Sequence, residues 1–156
     1  MSKLNDVLEE AKAKVLALET PSLVGKVTIA YKPEDLFDHM KTVRSLPAVG
    51  VMYEGMRSIP EGQTTDKKGI SSEIVISLML IEQDDSIHKS DEKRERAIDY
   101  LDAIRVQFLD QRSPVTGHIW HFLVEAPAEL KAGLTCWVQR WALPVQLKPR
   151  QVRNQI

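Results

Sequence analysis

The stretch from Ser71 to Leu147 constrains the fold most, because its hydrophobic spacing switches from strand to helix and back within one compact span. A long strand pattern comes first. Ile74, Ile76, Leu78 and Leu80 occupy one face, and Val75, Met79 and Ile81 join from the other. Apolar residues on both faces predict a central strand covered on both sides. After a polar turn, Ser90 caps a helix whose first turn carries Asp91 and Glu92, which suit its dipole. Ala97, Ile98, Leu101, Ile104, Phe108 and Leu109 form its expected buried face, and Arg112-Ser113-Pro114 stops it. Ile119 to Glu125 and Leu134 to Val145 read as closing strands, joined through Pro127 and Gly133.

The first half adds smaller elements. Leu4, Val7, Leu8, Ala11, Val15 and Leu18 recur at helical spacing, and Pro21 with Ser22 closes that helix by residue 20. A strand is expected over Val24 to Lys32, and a short helix opens at Pro33-Glu34-Asp35 and runs to about Ser45. Pro47 to Gly55 reads as a strand. Arg57 to Gly69 is mostly polar, and Gly62 to Gly69 reads as a mobile hairpin tip. The expected fold class is α+β, a mostly antiparallel sheet with a long hairpin, flanked by two or three helices. One domain is expected over residues 1–147, followed by a flexible basic tail over 148–156.

Composition narrows the function classes. The chain has 156 residues, 43% of them apolar and 28% charged. That length buries roughly 68–70% of the unfolded surface, enough for a core without staples. With 21 basic and 22 acidic residues the formal net charge is −1, so no global field drives the chain toward nucleic acid or anionic membrane. The single cysteine, Cys136, excludes a disulfide or a cysteine-based zinc cage within one chain. Met1 to Glu19 lacks the continuous apolar core of a signal peptide, and apolar runs fall far short of the ~20 residues of a membrane span. A soluble protein made in the cytoplasm is expected.

Candidate chemistry is sparse. His118, His121 and Glu125 lie close in sequence, but side chains three apart on a strand point to opposite faces, so surface or edge histidines are expected. Cys136 sits inside a strand with no following helix N-terminus to lower its pKa, and reads as a packed thiol. Asp84-Asp85 and Glu34-Asp35 are adjacent pairs in turns, without a shared cleft. No phosphate loop or dinucleotide fingerprint occurs. No catalytic residue, metal site or cofactor is expected.

The aromatic distribution is more informative. Trp120, Trp137 and Trp141 concentrate in the last two strands. Trp137, Gln139, Trp141 and Leu143 share one face, and Cys136, Val138, Arg140 and Ala142 share the other. Two largely apolar faces need two coverings, which suggests an uncovered tryptophan-rich face as a subunit interface. Trp120, Trp137, Arg140 and Trp141 are its candidates, and Arg57, Asp66, Lys67 and Lys68 are candidates for a partner-docking loop.

Three segments together carry a resemblance that spans most of residues 46–147. They are Leu46-Pro47-Ala48-Val49-Gly50-Val51-Met52-Tyr53-Glu54-Gly55, Arg96-Ala97-Ile98-Asp99-Tyr100-Leu101-Asp102-Ala103-Ile104-Arg105, and Leu134-Thr135-Cys136-Trp137-Val138-Gln139-Arg140-Trp141-Ala142-Leu143-Pro144-Val145. Their pattern resembles the tail-terminator, or tail-completion, proteins of long-tailed and contractile-tailed bacteriophages, including the Mu-like prophage type. The resemblance implies a non-enzymatic virion structural protein that forms a ring, usually a homohexamer, at the head-proximal end of the tail. Such a ring caps the tail tube and offers a surface for joining the head. The implied partners are the chain itself, the tube protein, and sheath and neck or connector proteins. No membrane and no sequence-specific nucleic acid is implied, although a genome would pass through the ring. Assembly would take place in the host cytoplasm. The alternatives are another phage neck or head–tail joining adaptor, and a small metal-dependent hydrolase using His118, His121 and Glu125.

Overall fold

A computed structural model describes residues 3–32, 35, 47–63, 70–83, 90–128 and 134–147. Helix α1 (Lys3–Leu16) buries Val7, Leu8, Ala11 and Val15, the stripe its spacing predicts. It ends before residue 20: the Leu18 N–H bonds the Val15 carbonyl, three residues back, so the last turn tightens and closes. Strand β1 (Val27–Ala30) is shorter than expected, because only these residues pair with β2. The short helix expected to run to about Ser45 lies outside the described residues, apart from Asp35.

Strand β2 (Ala48–Gln63) pairs antiparallel with β3 (Ile70–Gln83). Arg57 to Gln63, expected as part of a loop, belongs to β2. Ladder hydrogen bonds are backbone bonds and do not require apolar side chains. Here Arg57 pairs with Glu73, Ser58 with Ser72 and Gln63 with Ile70. Between Tyr53 and Gly55 the register shifts, and Gly55 takes φ +138°, a conformation that suits glycine at a bulge.

Helix α2 (Ser90–Phe108) follows, then β4 (His121–Ala128) and β5 (Leu134–Leu147). The chain leaves α2 through Asp110 at φ 59°, a left-handed C-terminal stop, before reaching the expected Arg112-Ser113-Pro114. The sheet has five strands in the order β1-β2-β3-β5-β4, with β1 parallel to β2 and the other neighbours antiparallel. The fold is α+β, a mixed sheet with two helices among the described residues.

Both faces of β3 carry buried apolar side chains, as its two-sided pattern predicts, although Val75 is only half-buried. On one face Ile74, Ile76, Leu78 and Leu80 pack with α1, with Leu101, Ile104 and Phe108 of α2, and with Trp120 and Trp141. On the other, Met79 and Ile81 cluster with Ala30, Met52, Cys136 and Val138. Ile98 and Leu109, expected on the buried side of α2, are exposed. They lie at the margin of the stripe set by Ala97, Leu101, Ile104 and Phe108.

Candidate functional site

The tryptophan face expected to be uncovered is covered within the chain. Phe108 of α2 stacks on Trp141 at 5.2 Å between ring centroids, and meets Trp120 edge-on at 5.1 Å. Trp141 is 0% exposed and Trp120 2%. Trp137 is half-buried against the same core. Trp120 and Trp141 therefore spend their surface inside the molecule. Arg140 lies on the opposite face of β5, half-buried, with its Nε 3.3 Å from Oε1 of Glu54 on β2. Arg57 is exposed and donates from Nε to Glu73 on the paired strand. Asp66, Lys67 and Lys68 lie outside the described residues.

His118, His121 and Glu125 do not converge. A second register shift, between Phe122 and Val124, changes which face later side chains take. His121 pairs with Ala142 on the face opposite to Trp141, away from α1 and α2, whereas Glu125 pairs with Gln139 beneath α2. There Glu125 accepts hydrogen bonds from Arg105 Nε (3.1 Å) and Gln139 Nε2 (2.8 Å). Among the described residues no group of three or more His, Cys, Asp or Glu is placed to hold a metal. Burial pushes the Cys136 thiol up to about 11, which suits a packed side chain and opposes thiolate chemistry.

Glu10 on α1 has a role that the sequence hid. It reads as part of a charged helix face, yet its carboxylate crosses to residues more than a hundred positions away. Ser113 Oγ donates to one oxygen and Trp120 Nε1 to the other, the latter at 2.8 Å. Ser113 Oγ in turn accepts from the Val115 and Thr116 N–H groups, holding the turn between α2 and β4. Glu10→Ala is expected to lower stability by about 2–4 kcal/mol, because it leaves the buried Ser113 hydroxyl and Trp120 indole N–H without their charged acceptor. Urea unfolding would measure this, and an unchanged midpoint would show that the tie contributes nothing.

Glu82, at the end of β3, is 5% exposed and faces Arg96 of α2 with Nε–Oε1 3.5 Å. Burial pushes the Glu82 carboxyl above its ordinary value of 4.5, and the Arg96 charge only partly opposes this. The Tyr100 hydroxyl rises too, first by burial and then by the Glu82 charge. Because the folded value is raised, the contribution of Glu82 to stability is fully present below the unfolded value and is lost as pH rises through the folded one. Glu82→Gln should therefore gain stability relative to the unsubstituted chain as pH rises from about 4.5 toward neutrality. Paired thermal melts at both ends of that range check the sign.

Exposed apolar side chains lie at both ends of the sheet. Beside β4, Ile119, Phe122 and Val124 are exposed, with Leu109 at the end of α2. Leu109, Asp110, Arg112, His118, Ile119, Phe122 and Pro144 line an open groove of about 490 Å³ there. Beside β1, Val24 is 71% exposed and Tyr31 91%. No helix among the described residues is long and apolar enough to cross a membrane. The fold and surfaces define an α+β protein with a five-stranded sheet whose end strands are flanked by exposed apolar side chains. The chain matches no model of a known protein family, and no curated protein matches it.

Proposed function

We propose that this chain is a structural protein of a tailed-phage virion, a tail terminator that works as a homo-oligomeric ring. The reading is supported by one observation above the rest: the three segments that carry the resemblance fall on β2, α2 and β5 of a single sheet-and-helix unit, in the implied order. The exposed apolar side chains at both ends of the sheet add a physical means of self-association. In this reading the ring caps the tail tube, meets neck or connector proteins on its other side, and lets the genome pass. Its role is structural and not catalytic.

Light scattering on the purified chain, followed by mixing with the cognate tube protein, tests the proposal. The expected result is a species of several subunits that limits tube length in electron micrographs. A monomer at high concentration that leaves tube growth untouched would sink it. A multimer that binds neck proteins but leaves tube length unrestricted would instead favour a joining adaptor.

A further inference from the structure

We draw no further inference here: the strongest candidate, the open groove beside β4 where Leu109, Ile119 and Phe122 stand among Asp110, Arg112, His118 and His121, mixes exposed apolar side chains with groups of both charge signs, and nothing in the structure shows what covers it.

Discussion

Trp141→Ala is expected to lower stability by about 3–5 kcal/mol, the range for truncating a large buried aromatic. Trp141 has no exposed surface, stacks on Phe108, and meets Phe122 edge-on at 5.2 Å. Its removal opens a cavity between β5 and α2 that Leu101, Ile104 and Leu143, themselves buried, cannot fill without leaving their own contacts. Unfolding in urea followed by circular dichroism measures the loss. The same variant separates two roles for this side chain. A tryptophan that anchored a neighbouring subunit would weaken association and shift the midpoint only in step with protein concentration. The burial of Trp141 requires the midpoint to fall, and an unchanged midpoint would contradict its place in the core.

That contrast shows where sequence patterning stops. Alternation along β5 correctly puts Trp137, Gln139, Trp141 and Leu143 on one face, because side-chain direction in a strand is local. Which element lies on that face is not local. Phe108 reaches both Trp120 and Trp141 only after α2 folds over the sheet, and nothing in the spacing of the last strands records it. The inner stripe of α2 was legible, since Ala97, Leu101, Ile104 and Phe108 repeat at helical spacing. Its margins were not, and Ile98 and Leu109 face outward. The polar segment after Arg57 was hidden for the opposite reason: backbone pairing with β3 holds it in the sheet while its side chains read as loop. The candidate metal trio fails on geometry that spacing alone cannot carry, because the register shift beside Phe122 sends His121 and Glu125 to different faces. Tyr31 and Val24 fall within the strand expected over Val24 to Lys32, and no spacing signal distinguishes them as exposed side chains flanking β1.

Gln139→Leu is expected to cost about 2–4 kcal/mol although leucine is apolar and similar in size. Gln139 is 1% exposed and works as a polar junction inside the core. Its Nε2 donates to the Leu101 carbonyl at 3.0 Å and to Glu125 Oε1 at 2.8 Å, and its Oε1 accepts from Trp141 Nε1 at 3.1 Å. Leucine leaves the indole N–H buried without an acceptor, and Glu125 keeps Arg105 but loses its second donor. Leaving a buried donor unpaired costs more than the bond itself contributes, so greater apolarity does not compensate. Trp141→Phe removes that orphaned group at the price of a smaller ring. The double variant Gln139→Leu with Trp141→Phe should therefore be less destabilised than the sum of its single changes, by roughly 0.5–3 kcal/mol. Strict additivity in the urea midpoints would show that the indole and amide are not coupled, leaving the Gln139 bonds to Leu101 and Glu125 to account for the cost of the single change.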